Sequence, residues 1–173
     1  MTRVVFALLI LSSCSLAAAQ ATDPKPELAV TLRSIKPSYR ITEEIQLEVQ
    51  LLNAGHRSFL IRRPLGWGYG RTDIGVFDSK GKQVVTTVLA DELPPPPVAE
   101  DFLNLGPHEF FGVLVQEPIT NFVNAPGRYE FVVNYTSHVS EEWVRDHLKL
   151  PTPFWSRERG TVQSKRVTII VTP

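Results

Sequence analysis

Between Glu44 and Leu51 the chain alternates polar and apolar residues without a break, Glu44, Gln46, Glu48 and Gln50 interleaving with Ile45, Leu47, Val49 and Leu51. Successive side chains of a strand leave opposite faces, so this two-residue period defines one wetted and one buried face, which a helix cannot do. The stretch therefore demands a sheet with something packed on its apolar side. The same period returns at Leu28, Val30 and Leu32, around Phe111, Val113 and Val115, at Tyr129, Phe131, Val133 and Tyr135, and at Val167, Ile169 and Val171. Turn chemistry separates these runs at Lys36-Pro37-Ser38, Asn53-Ala54-Gly55-His56, Leu105-Gly106-Pro107-His108-Glu109 and Ala125-Pro126-Gly127. Phe59 and Ile61 predict a further strand. Ile74 to Phe77 and Gln83 to Leu89 predict a hairpin joined through Asp78-Ser79-Lys80-Gly81.

About eight short strands spaced roughly ten residues apart predict an all-β fold. The expected form is an antiparallel two-sheet immunoglobulin-like sandwich of about 7–9 strands, not an alternating α/β domain. One short helix is expected near the C-terminus, from Ser140 to Leu150. Ser140 can cap it, Glu141 and Glu142 suit its positive end, and Trp143, Val144, Leu148 and Leu150 supply apolar contacts. Pro151 and Pro153 end it, and Pro94 to Pro97 read as an extended connector.

The N-terminal residues differ in character. Arg3, the apolar run Val4 to Leu11 and Ala17-Ala18-Ala19 have the order of a secretory signal, so residues 1–19 are expected to direct export, 20–26 to link, and 27–173 to form one domain. The apolar run falls short of the ~20 residues that span a bilayer. Leu11-Ser12-Ser13-Cys14 resembles a lipoprotein signal, so two fates compete: release near Ala19, which the small residues favour, or lipidation of Cys14. Lipidation is the only membrane attachment expected, and the product is periplasmic, secreted or anchored. Cys14 is the one cysteine, so no intrachain disulfide staples the fold. With 18 basic and 18 acidic residues the chain lacks the long-range field that draws nucleic acid.

Little catalytic chemistry stands out. The expected mature domain has no cysteine and no Gly-x-Ser-x-Gly elbow, so a non-enzymatic protein without cofactor or metal is the expectation. Glu43-Glu44, Asp91-Glu92 and Glu141-Glu142 read as solvated charge at turns or a helix start. His138, Glu142 and Asp146 recur every fourth residue, but the gap from His138 to His147 does not place two histidines on one helix face, as metal motifs require. His56 and His108 lie in turns where solvent suffices. Asn134-Tyr135-Thr136 matches a glycosylation sequon but falls in a predicted strand.

The strongest binding candidate is Arg62 to Arg71, whose three glycines and one proline exclude a regular element. Arg63, Trp67, Tyr69 and Arg71 are the side-chain types that concentrate binding energy, and loops at sandwich ends commonly bind. The competing reading folds Trp67 back over a sheet edge. Phe154-Trp155-Ser156-Arg157 carries the same two readings, a contact surface or a plug over the sandwich end.

The order of local motifs resembles that of bacterial immunoglobulin-like modules. It comprises a strand ending in Asn53, Val76-Phe77-Asp78-x-x-Gly81-Lys82, Leu105-Gly106-Pro107-His108-Glu109 and Pro126-Gly127-x-Tyr129. Among these it is similar to the bacterial intracellular proteinase-inhibitor family, over Leu28 to Tyr135. The resemblance implies the sandwich, a structural tyrosine-corner role for Tyr129 and, as a second function, inhibition of an extracytoplasmic protease. The first function expected is binding of a protein or envelope component through end loops.

Overall fold

The computed structural model describes residues 27–63, 72–84, 96–150 and 153–173. The expected signal, linker and Cys14 lie outside them, as do Trp67, Tyr69, Arg71, Asp91-Glu92 and the hairpin beyond Val84.

The strands are β1 (Leu28–Ser34), β2 (Ser38–Arg40), β3 (Glu44–Asn53), β4 (Phe59–Arg62), β5 (Thr72–Phe77), β6 (Gln83–Val84), β7 (Phe102–Leu105), β8 (Phe110–Pro118), β9 (Gly127–Thr136), β10 (Thr161–Gln163) and β11 (Val167–Thr172). One sheet runs β1-β3-β8, and the second runs β2-β11-β9-β5-β6 with β10 also on β9. That order sets the first, second and fifth strands of an immunoglobulin sandwich against its third, sixth and seventh. Among the described residues every strand pairing is antiparallel except β2 on β11, and one isolated bridge, Leu60 to Phe154, is also parallel.

The alternation behaves as the sequence demands. Ile45, Leu47, Val49 and Leu51 of β3 are fully buried against Ile74, Phe131, Val133 and Ile169 of the facing sheet. Removing each such side chain from water contributes about 1.5–3 kcal/mol. On β8 only Val115 is buried, while Phe111 and Val113 are half-covered and Phe110 and Leu114 are exposed. Tyr129 opens β9 and its hydroxyl donates to the Ala125 carbonyl at 2.9 Å, which makes the tyrosine corner.

Eleven strands stand among the described residues where about eight were expected. The additional ones, β2, β7 and β10, have 3, 4 and 3 residues. That is too short to display a period, and partners distant in sequence define them. β7 pairs with β4 in a two-stranded ribbon outside both main sheets. Leu60 of β4 donates to the Pro153 carbonyl at 3.0 Å and accepts from the Trp155 amide at 2.8 Å, so the chain around Phe154 extends this ribbon.

A small second core forms on the ribbon. Leu60, Phe102, Val139, Val144 and Phe154 are buried together, with Trp143, Leu148 and Leu150 packed around them. The expected helix supplies part of it and starts where predicted, the Ser140 hydroxyl accepting from the Trp143 amide at 3.1 Å. It is α-helical only as α1 (Glu141–Trp143), becomes π-helical over Val144–Leu148 and stops at Lys149 with φ 55°. Phe154 and Trp155 are both buried, Phe154 in this cluster and Trp155 in the main core beside Phe59. Of their two readings the plug is therefore the one observed. No helix among the described residues is long and apolar enough to cross a membrane.

Candidate functional site

Arg62 ends β4 and Thr72 begins β5, so the two strands deliver the stems of the connection that contains the candidate binding residues. Both stems are fastened to one residue, Thr72 through the ladder and Arg62 through the side chain. Thr72 is the register partner of Tyr135 on β9, and the buried Tyr135 hydroxyl accepts from the Arg62 amide and donates to the Arg62 carbonyl, each at 3.2 Å. A hydroxyl has just these capacities, so the end of β4, whose ladder partner is β7, is held to β9 by this side chain.

The turn Ala99–Asp101 clamps the same stem from the other side. Arg62 Nη2 lies 3.3 Å from Asp101 Oδ2, in a pair whose side chains are only 8% and 24% exposed. The neighbouring Arg63 amide donates to the Asp101 carbonyl at 2.7 Å, and Arg63 Nε and Nη2 both reach the Glu100 carbonyl at 3.3 Å. Burial of the Arg62–Asp101 pair makes loss of either partner costly, because the survivor is left as an uncompensated charge. Arg62 Nε and Thr72 Oγ1 are buried without a hydrogen-bond partner among the described residues, as is Trp155 Nε1. Of the four binding candidates, Arg63 is exposed at the mouth of these stems. Trp67, Tyr69 and Arg71 lie outside the described residues.

The remaining candidates resolve into local structure. Glu43 accepts from the Arg40 amide at 3.1 Å, which holds its carboxyl below the usual carboxylate range. Glu44 accepts from the Gln116 side chain on β8. Glu158 is held low chiefly by the Ser156 hydroxyl, and Arg33 is held high by its hydrogen bond and charge interaction with Glu48. Asn134 accepts from Gln163 Nε2 at 2.8 Å within the β9–β10 pair. The β5–β6 turn spaces Ser79 and Lys82 as Ser-x-x-Lys, but Asp78 Oδ1 organises it by accepting from the Lys80 and Lys82 amides. A cleft of about 610 Å³ runs along β1 past Val162, Gln163 and Lys165, and Arg63 does not line it.

His56 and His108 lie exposed in turns, and two histidine ring contacts add to the expectation. His147 stacks on Trp143 with ring centres 4.8 Å apart. His56 and His108, from separate turns, meet edge to face at 5.8 Å. Sequence reading missed this pair because neither turn indicates which other turn it will meet.

No family model matches the chain, and no curated protein matches it. Among solved structures it is similar to the CARDB domain of a Pyrococcus furiosus protein, with 14% identity, 85% of this chain and 89% of that chain covered, and a TM-score of 0.40. It is also similar to a β-glucosidase from Listeria innocua, at 13% identity, 86% and 16% coverage and a TM-score of 0.41. A β-glucosidase from intestinal bacteria gives 15%, 86% and 16%, and 0.43. Likenesses this distant say nothing about what the chain binds, and they give the proteinase-inhibitor resemblance no support. The strand order defines the class, an immunoglobulin-like sandwich module.

Proposed function

We propose that the chain is an exported, non-enzymatic immunoglobulin-like module that holds a protein or envelope component through its β4–β5 connection. The observation that carries this reading is the clamp on the stems, where Tyr135, Asp101 and the Glu100 carbonyl fix Arg62 and Arg63. A binding loop gains from a rigid base, since less ordering entropy is lost when the partner arrives. Residues 64–71 add Trp67, Tyr69 and Arg71 to the exposed Arg63, a composition suited to a contact surface. Against an enzyme, the ionisable groups among the described residues whose titration is displaced, Arg33, Glu43 and Glu158, are shifted by partners close in the local structure: Glu48 for Arg33, Arg40 and Lys36 for Glu43, and Ser156 and Arg157 for Glu158. A catalytic centre displaces titration by burial and coupling. Export rests on the signal-like residues 1–19, and membrane attachment on Cys14; the reading needs no cofactor.

Affinity capture from envelope extract tests it. The parent chain is expected to retain a discrete partner that a chain carrying Arg63→Ala, Trp67→Ala and Tyr69→Ala does not. Equal retention by both overturns the assignment of the loop. Protease inhibition is the other outcome the capture can reveal, as a retained protease whose activity falls on mixing.

A further inference from the structure

The turn after β3 and the turn before β8 are held together by one buried side chain. Asn53, fully buried, donates through Nδ2 to the Arg57 carbonyl at 2.8 Å and to the Leu105 carbonyl at 2.9 Å, and accepts through Oδ1 from the Gly55 amide at 3.0 Å. Its own amide donates to the Glu109 carbonyl and its carbonyl accepts from the His108 amide at 2.9 Å. These bonds flank His56 on both sides and grip His108 directly. His108 sits at φ 62°, a left-handed conformation that a non-glycine residue keeps only where its surroundings impose it. The two exposed imidazoles are thereby presented at 5.8 Å between ring centres with planes at 80°.

We propose that His56 and His108 form a surface site for a divalent transition-metal ion of the imidazole-preferring class, Zn²⁺, Cu²⁺ or Ni²⁺. Two imidazoles on one tetrahedral ion, at metal–nitrogen distances of about 2.0–2.1 Å, place their ring centres about 5 Å apart. The observed separation is within about 1 Å of that value, and binding requires side-chain rotation that turns one ring nitrogen of each histidine toward the shared ion. Among the described residues no three histidine, cysteine or carboxylate side chains converge, so the protein supplies two ligands and water completes the shell. Glu109, beside His108, already accepts from the Gly106 amide at 2.7 Å. A closed structural site uses four protein ligands, whereas this open one exchanges its ion and leaves positions for a donor from another molecule. The inference is independent of the β4–β5 reading.

Titration calorimetry with ZnCl₂ and with CuSO₄, on the exported chain purified without an affinity tag, tests the site. One ion per chain is expected, with His56→Ala and His108→Ala each weakening affinity at least tenfold. His108→Phe keeps an aromatic ring for the edge-to-face contact but no ligand, and is expected to bind as poorly as His108→Ala. His147→Ala is expected to leave binding unchanged. Absence of saturable binding to the parent, or equal binding by the folded His56→Ala, His108→Ala double variant, overturns the proposal. So does full binding by His108→Phe.

Discussion

Two buried polar side chains, Tyr135 and Asn53, each join segments that the chain order keeps apart. Tyr135→Phe removes the one group that both accepts from and donates to Arg62, 73 positions away, and leaves that amide and carbonyl unpaired inside the protein. The expected loss is about 1–3 kcal/mol in urea denaturation. Asn53→Ala strands the Arg57 and Leu105 carbonyls and the Gly55 amide together, so about 3 kcal/mol is expected, with loosening of both histidine turns visible as faster amide exchange. In the sequence Tyr135 reads only as the last apolar position of an alternating strand. Tyr129 was legible because its hydroxyl partner, Ala125, lies four positions upstream inside a recognisable Pro-Gly turn. Legibility at this scale follows the sequence distance of the partner.

Elements with a period, a hairpin turn or a local cap were legible, β4 and β6 among them despite their shortness, and β2, β7 and β10 were not. β3, β9 and β11 declared themselves by alternation, whereas β2, β7 and β10 exist because a neighbouring strand offers free backbone groups. The helix start was legible because Ser140 caps it locally, and Ser140→Ala is expected to cost about 1 kcal/mol in thermal unfolding. Its π-helical continuation was not legible. There the His147 ring nitrogen lies 3.0 Å from the Trp143 carbonyl, the acceptor that a regular turn would offer to the amide of residue 147. At the β2–β3 turn the Glu43 carboxylate caps the Arg40 amide and its pKa is lowered by folding. A lowered folded-state value adds stability that is fully present above the ordinary carboxylate value of 4.5 and is lost as pH falls below it. Glu43→Gln is therefore expected to lower stability at pH 7 and progressively less as pH falls below 4.5, read as a smaller acid-induced drop in urea midpoint.

The whole molecule has two cores of unequal size. The sandwich core spans both main sheets, while the satellite core of Leu60, Phe102, Val139, Val144 and Phe154 joins the β4–β7 ribbon to the chain after β9. Val144→Ala, expected to cost about 2 kcal/mol, should raise hydrogen exchange in residues 139–150 and 153–155 while β3 and β9 keep their protection. The sandwich was legible from sequence, since its period is written in every long strand. The satellite core was only half legible, because its helix and β4 have local signals while β7 has none. The binding candidates rest on composition alone, and the clamp on Arg62 and Arg63 came only from the fold. The central claim is that β4 and β5 hold a rigid base for a contact surface, so that changing the contact residues removes binding and leaves folding intact. One paired measurement tests it most directly: the urea midpoint and the partner retention of the parent and of the Arg63→Ala, Trp67→Ala, Tyr69→Ala chain. Stabilities within about 1 kcal/mol together with lost retention are the predicted result. Unchanged retention, or a collapse in stability, would contradict the claim and make these side chains part of the packing.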